Sequence, residues 1–224
     1  MTARKTPPAP PCAQSRSSAA DGRRFSEATS RNREPLLEAL RRILPSKGLV
    51  LEIGSGTGEH AVFLGARLPD LVFQPSDPDP LSRESISAWI ASSGANNVLP
   101  PLELRSETAR ADDLGDRRAE VRAVMAVNVI HISPWTCCLG LLRLAAELLP
   151  DGAPLALYGP FRRGGRHTAA SNQAFDEMLR ARDPAWGVRD LDEVATAAVE
   201  QGFSRPECIE MPANNLVVVF RKLP

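Results

Sequence analysis

The segment Glu52-Ile53-Gly54-Ser55-Gly56-Thr57-Gly58 sits between an apolar run and a helical pattern and concentrates the chain's clearest chemistry. Glycines at alternate positions let the backbone turn tightly and approach a ligand, and the helix that follows starts with unpaired N–H groups. The spacing is GxGxG, whereas a dinucleotide fingerprint needs GxGxxG, and Glu59 occupies that motif's last position. Glu52 and Glu59 oppose a pyrophosphate and suit a ligand that carries an ammonium group. Nineteen residues beyond Gly58, Asp77 ends a second apolar run, where a carboxylate can accept hydrogen bonds from both ribose hydroxyls. The plain alternative is a tight turn with Asp77 capping a helix.

Loop and acid on consecutive strand ends together point to an amino-acid-bearing nucleoside, S-adenosylmethionine. Its sulfonium methyl is already activated, so a site for its transfer mainly needs alignment, exclusion of water and sometimes a base. Three groups of residues could meet those needs. Asn128-Val129-Ile130-His131 ends another strand: Asn128 could bond the methionine moiety or the acceptor, and His131 is the candidate base or else a structural anchor for the turn into Pro134-Trp135. Tyr158-Gly159-Pro160-Phe161 opens the long insertion Arg162 to Asp190, a length typical of lids and binding loops. Tyr158, Asn172, Trp186 and Arg189 are its substrate-pocket candidates. Against that, Trp186 could be core, Arg189 could pair with Asp176 or Asp190, and Asn172 could only cap the helix whose apolar face holds Phe175, Met178 and Leu179. Arg31-Asn32-Arg33 could fold back as a lid, with Arg31 or Arg33 facing the cofactor carboxylate, or else form a solvated charge run. The cofactor set is Arg31, Asn32, Glu52, Gly54, Ser55, Gly56, Gly58, Asp77 and Asn128.

The elements that must position these residues alternate along the chain. From Glu34, Leu36, Leu37, Leu40, Ile43 and Leu44 recur at helical spacing up to Pro45. Strands are expected over 49–53, 71–75, 98–104, 123–130 and 154–158, with helices over 59–67, 81–92, 134–149 and 191–201 between or after them. This order implies a parallel sheet with helices on both faces. The closing strands, 207–211 and 216–221, are joined only by Pro212-Ala213-Asn214-Asn215, so they form an antiparallel hairpin at one edge, its Asn pair suited to positive φ.

With 224 residues, 43% hydrophobic and 24% charged, the chain is long enough for one sizeable core. The 27 basic and 27 acidic groups divide unevenly: residues 1–24 hold five basic and one acidic, leaving 22 basic against 26 acidic. An acidic body without basic runs argues against a nucleic-acid partner. The apolar stretch from Cys137 to Leu149, interrupted by Arg143 and Glu147, falls short of the roughly 20 residues of a membrane span. Cys12, Cys137, Cys138 and Cys208 make no CxxC and no zinc spacing, which fits a reducing, cytoplasmic setting and no metal. Residues 1–22, rich in Pro, Ser, Ala and Arg, read as a disordered tail before a domain over 23–224; organellar targeting is the alternative.

Several stretches carry a family resemblance: Arg31-Asn32-Arg33-Glu34-Pro35, Ser55-Gly56-Thr57-Gly58-Glu59-His60, Gln74-Pro75-Ser76-Asp77, Asn128 to Trp135, Tyr158 to Phe161, Ser171 to Asp176, Trp186 to Asp190 and Met211 to Leu216. On these the sequence resembles class I S-adenosylmethionine-dependent methyltransferases, and more closely the methyltransferase-like twenty-six family, a domain of unknown function. The resemblance implies an α/β, Rossmann-like fold with a mostly parallel seven-stranded sheet of order 3-2-1-4-5-7-6, and leaves the substrate open. It also implies an acid just after the third strand and a following Trp. Here Leu104 is followed by Arg105, the Trp is missing, and Ser106, Glu107 and Asp113 are the substitutes within reach. The expected activity is methyl transfer to a small molecule, at oxygen or nitrogen. A non-catalytic binder of S-adenosylmethionine or S-adenosylhomocysteine is the main alternative, kept open by Arg105. A nicotinamide-dependent oxidoreductase is the third, disfavoured by GxGxG with Glu59.

Overall fold

The computed structural model describes residues 15–16 and 21–224. Six strands build the central sheet: β1 (Gly48–Ile53), β2 (Leu71–Ser76), β3 (Val121–Val127), β4 (Pro154–Gly159), β5 (Glu207–Met211) and β6 (Asn215–Arg221). Six α-helices accompany them: α1 (Glu27–Arg41), α2 (Glu59–Arg67), α3 (Pro80–Ser93), α4 (Trp135–Leu148), α5 (Ala170–Arg182) and α6 (Leu191–Glu200). The spatial order is β2-β1-β3-β4-β6-β5, parallel from β2 to β4 and antiparallel at β6 and β5.

Alternation along the strands divides the core into two layers, because successive side chains leave a strand on opposite faces. Leu49, Leu51, Val124, Leu155, Leu157 and Val218 pack into one cluster with Leu141 of α4 and Val194 of α6. Val50, Ala123, Met125, Ala156, Val217 and Val219 pack into the other with Leu36 and Leu40 of α1 and Leu64 of α2. Burial on both faces explains why β1, β3, β4 and β6 read as continuous apolar runs.

The seventh strand is a correction. Residues 98–104 do run beside β2, yet only the bridges Phe73↔Val98 and Ser76↔Leu102 form. Pro100 and Pro101 interrupt the row with two residues that have no N–H, and Pro75 in β2 lacks one too. What remains is a pair of bonds at each end: Phe73 donates to Asn97 and Leu99 to Phe73, then Leu102 to Pro75 and Asp77 to Leu102.

Two further boundaries differ. Helix α1 starts at Glu27 rather than near Glu34, because Ser26 caps it by accepting from the Thr29 N–H, and Pro35 is carried inside. Strand β3 ends at Val127 rather than Ile130, since Asn128 takes φ +62° and residues 129–131 make one tight turn. In the insertion, Arg162–Arg163 pairs with Arg166–His167 as a two-residue hairpin ahead of α5. Ser15–Arg16 pairs with Phe25–Ser26. The expected disorder or targeting role of residues 1–22 lies, apart from 15–16 and 21–22, outside the described residues. No described helix is long and apolar enough to cross a membrane.

Candidate functional site

The glycine loop leaves β1 and is fastened to the end of β2. Ser55 donates its N–H to the Ser76 carbonyl at 2.8 Å, the Ser76 N–H returns to Ser55 Oγ at 3.1 Å, and the Ser76 hydroxyl donates to the Glu52 carbonyl. Gly56 donates its N–H to Asp77 Oδ2 at 2.9 Å, and Asp77 Oδ1 accepts the Asp79 N–H at 2.9 Å. Asp77 therefore holds the loop from behind; burial pushes its carboxyl above the usual range, opposed by those two donors. Two glycines are demanded for different reasons. At Gly54, with φ +67°, a Cβ would lie 2.6 Å from Val129 Cγ2, so packing forbids one. At Gly56, with φ +57°, nothing lies within 4 Å of the Cβ position, so the backbone there is bare toward open space.

That open space is a cavity of about 360 Å³ at the carboxyl ends of β1 and β3, where ligands of open α/β sheets are bound. It gathers Arg31, Asn32, Glu52, Gly54, Ser55, Gly56 and Asn128 from the expected cofactor set. Gly58 and Asp77 are not in its wall. Gly58, at φ +89°, packs on Ile86 at the start of α2.

The two loop carboxylates separate. Glu52 is 1% exposed, lines the cavity, and its Oε2 has no hydrogen-bond partner. Burial pushes its carboxyl up to about 7, opposed by a hydrogen bond from the Ser55 side chain and assisted by the Asp77 charge. Glu59 instead turns toward the amino-terminal segment, its Oε2 accepting the Ser26 N–H at 2.6 Å and the Thr57 hydroxyl at 3.0 Å. Residues 24–25 pack on α3: the Arg24 N–H donates to Ser85 Oγ, Trp89 Nε1 donates to the Arg24 carbonyl, and Phe25 stands edge-on to Trp89 at 5.1 Å, whereas Arg31-Asn32-Arg33, expected as a lid, lies inside α1. Arg24, Ser26 and Thr29 join the cavity wall in consequence. Arg31 lies at the wall with its side chain largely exposed and Glu27 at 3.8 Å, whereas Arg33 stacks over the Phe63 ring, 5.0 Å away.

His60 also lines the cavity, a residue whose place in the loop motif was visible but whose role was not assigned. Its Nε2 lies 2.8 Å from Asn32 Oδ1. An amide oxygen can only accept, so the ring carries its proton on Nε2. Burial, assisted by the Arg33 charge, lowers His60 to about 4, which leaves it neutral.

His131 is placed away from the cavity wall. Its ring is fully buried against Phe161, edge-on at 5.0 Å, and Nδ1 accepts the Arg189 N–H at 3.2 Å. A Cβ at Gly159 would lie 2.5 Å from its Nε2, so that glycine exists to admit the imidazole. Burial first, then the Arg189 charge, push His131 down to about 3. The ring ties the turn after β3 to the insertion by accepting the Arg189 N–H rather than by bonding a carbonyl, and its buried Nε2 has no hydrogen-bond partner among the described residues.

The expected substrate group is likewise drawn into structural work. Arg189 donates to the carbonyls of Ile130, Ser133 and Ala185, fastening the insertion to the turn after β3 rather than pairing with Asp176 or Asp190. Asn172 sits inside α5, where Ala169 holds the cap position, and donates to Thr168 Oγ1 and the Asn214 carbonyl. Trp186 and Tyr158 are buried, and the Tyr158 hydroxyl meets the Asn32 and Asn215 side chains. What the insertion brings to the cavity is instead the apolar face of α5: Phe175, Met178 and Leu179, with Ile132 beside them. Of the three substitutes for the missing acid, none lines the cavity: Ser106 is buried under Gly140, Asp113 accepts the Arg110 N–H, and Glu107 bonds Cys137. No group of three metal-ligating side chains forms among the described residues.

Solved structures with this architecture include an S-adenosylmethionine-dependent methyltransferase, SibL, in its apo form (TM-score 0.71, 20% identity, covering 88% of this chain and 56% of that one). An O-methyltransferase family protein from Burkholderia thailandensis gives a TM-score of 0.73 at 16% identity, covering 88% and 58%. Human N-acetylserotonin methyltransferase in complex with S-adenosylmethionine gives 0.69 at 17%, covering 88% and 53%. The chain spans little more than half the length of each. At these identities the likeness establishes the fold, the Rossmann-like α/β architecture of class I methyltransferases. The model of one family matches residues 23–222, so the chain belongs to the family described as protein of unknown function (DUF938).

Proposed function

We propose that this chain is an S-adenosylmethionine-dependent methyltransferase acting on a small-molecule acceptor. The observation that carries the reading is the buried, unpartnered Glu52 Oε2 in the wall of the cavity that Gly56 faces with bare backbone. Burial keeps this acid protonated up to about pH 7 with the Ser55 side chain as a hydrogen-bonding neighbour, and a ligand ammonium would favour its ionised form and give Oε2 the partner whose lack costs about 1–3 kcal/mol. The residues present therefore fit the cofactor. Glu52 would hold its ammonium, Arg31 and Asn32 its carboxylate end, and the Gly54, Ser55 and Gly56 backbone its nucleoside, while Asp77 keeps the loop in shape from behind.

When bound, S-adenosylmethionine supplies a methyl group on a positively charged sulfur, an electrophile that needs no further activation. The chain's part is to align and enclose. Asn128, held at φ +62° at the end of β3, lines the cavity, and α5 would exclude water with Phe175, Met178 and Leu179. In this reading Tyr158, Asn172, Trp186 and Arg189 are positioning residues that set α1, α5 and the turn after β3, and His131 anchors that turn.

The same reading takes residues 23–224 as the methyltransferase-like domain, of the methyltransferase-like twenty-six kind, working in the cytoplasm on small molecules rather than nucleic acid. The net acidic body supports the last point. The test is release of S-adenosylhomocysteine when the purified chain is given S-adenosylmethionine and fractionated small-molecule cell extract. Release by the wild type and none by Gly56→Val is expected; equal release by both would refute the site.

A further inference from the structure

Two chains of hydrogen bonds meet on one residue of the glycine loop. Thr57 donates its hydroxyl to Glu59 Oε2 at 3.0 Å, and the same oxygen accepts the Ser26 N–H at 2.6 Å. The Thr57 carbonyl accepts the Ser85 hydroxyl at 2.8 Å, and Ser85 Oγ in turn accepts the Arg24 N–H at 2.9 Å. Glu59 and Ser85 are both buried, which shields these bonds from competing water. The strap formed by residues 21–26 is thus joined to Thr57 twice, once through a side chain of α2 and once through a side chain of α3. Thr57, Arg24 and Ser26 line the cavity, whereas Glu59 and Ser85 stand outside its wall.

The strap is also the lightly held part of that wall. Its one large apolar side chain, Phe25, is half-buried against a half-buried Trp89, with the Arg23 guanidinium over the Trp89 ring at 4.8 Å. The Arg24 guanidinium has Asp79 at 3.6 Å. By contrast, α1 and α5 are fixed by the fully buried Leu36, Leu37, Leu40 and Leu179, and the start of the glycine loop is bonded to β2 through Ser55 and Ser76. Segments with few buried apolar contacts are those that open at low free energy. A cavity of about 360 Å³ lies near the lower end of the roughly 300–1,000 Å³ of small-molecule sites, and a methyl donor together with its acceptor asks for more.

We propose that Glu59 and Ser85 are positioning residues of this site: acting through Thr57, they latch the strap 21–26 onto the glycine loop, and the strap governs entry and release of the methyl donor. This rests on the methyltransferase reading of the same cavity. A ligand that touches Thr57 and the strap together binds the latched arrangement better than the open one, and so holds the strap closed. Once it leaves, only the two chains of hydrogen bonds, the Phe25–Trp89 contact and the Arg24–Asp79 pair keep the strap in place.

The experiment uses the full chain, and calorimetry with S-adenosylhomocysteine comes first. Failure to bind there overturns the proposed function itself. With binding established, hydrogen exchange of the backbone over residues 22–26, read by mass spectrometry, should slow about tenfold when the ligand stands at ten times its Kd. Release of tritiated S-adenosylhomocysteine into an excess of unlabelled ligand should quicken about tenfold in Glu59→Ala, as expected for one lost hydrogen bond to a charged group. Ser85→Ala should quicken it too, and Glu59→Gln, which keeps an acceptor oxygen for the Ser26 N–H, should fall between Glu59→Ala and the wild type. Phe25→Ala lies outside the cavity wall and should also speed release, so it carries the test if a latch variant fails to fold. Association should be no slower than in the wild type for any of these variants, a split that damage to the loop itself would not produce. Exchange over 22–26 indifferent to the ligand, release unchanged in Phe25→Ala and in the folded latch variants, or affinity lost through slower association would overturn the proposal.

Discussion

Asp77 Oδ2 accepts the Gly56 N–H at 2.9 Å, so the acid at the end of β2 and the middle glycine of the β1 loop form one unit. The same carboxylate holds the Asp79 N–H, which leads into the Asp79 cap of α3. One side chain thus sets the loop that faces the cavity and the turn that follows it. Asp77→Ala should leave two backbone donors without acceptors and lower stability by about 1–3 kcal/mol for each one buried, read as the shift in a urea unfolding midpoint. Asp77→Asn keeps one acceptor oxygen and should be milder in unfolding.

Gly56→Val separates ligand from fold. No atom lies within 4 Å of the new Cβ, so the fold should survive with a loss of about 1–2 kcal/mol from the left-handed backbone. The side chain would stand in the space where the bare backbone meets a ligand, and affinity for S-adenosylhomocysteine should fall at least about a hundredfold, near 2.8 kcal/mol. Circular dichroism and calorimetry on the same preparation check both halves.

Glu52 makes cofactor affinity depend on pH. Its carboxyl, raised by burial to about 7, is largely protonated below that pH in the free protein, and only the ionised form pairs with an ammonium. Affinity should rise as pH increases toward 7, at most about tenfold per unit, and level off above it. Stability of the free protein runs the other way: the unfolded chain ionises Glu52 near its ordinary 4.5, so stability is lost as pH rises from there to about 7. Calorimetric titrations and unfolding midpoints across this range should show both trends in the wild type, and Glu52→Gln should flatten both.

The two buried imidazoles act in the opposite sense. His131 and His60 are lowered to about 3 and about 4, so the unfolded chain binds protons that the folded chain refuses as pH falls below about 6.5. The stability they contribute is complete above 6.5 and is lost progressively toward pH 3–4. His131→Ala should therefore cost about 2–4 kcal/mol at pH 7 through the void beside Phe161 and the lost Arg189 contact, and should reduce the acid sensitivity of unfolding. Its kcat/KM profile against pH, taken at a temperature where the variant is folded, should match the wild type.

How far the sequence could be read depended on whether a local rule or a distant partner decided each position. Gly54, Gly56 and Gly58 were legible because backbone conformation and a strand-to-helix turn are local demands, and the strands because apolar runs buried on both faces announce themselves. The run 98–104 reads as a full strand, yet Pro75, Pro100 and Pro101 deny the ladder its donors, a conflict between neighbours that neither segment shows alone. Glu59 carries a charge that looked aimed at a ligand, but the Ser26 N–H, thirty-three residues away, claims it. Arg189 reads as a pocket residue in the sequence because two of the three carbonyls it meets, those of Ile130 and Ser133, lie more than fifty residues away. His60 was overlooked although it adjoins the loop, since only its bond to Asn32 of α1 fixes its tautomer and turns it toward the cavity.

The central claim is that this cavity is built for S-adenosylmethionine, and the most direct measurement is calorimetric titration of the purified chain with S-adenosylmethionine, S-adenosylhomocysteine and NADH at pH 7.5. Saturable binding of both adenosyl ligands, lost in Gly56→Val and weakened in Glu52→Gln, with none of NADH, is the predicted result. Binding of NADH in their place, or adenosyl binding indifferent to both substitutions, would contradict it.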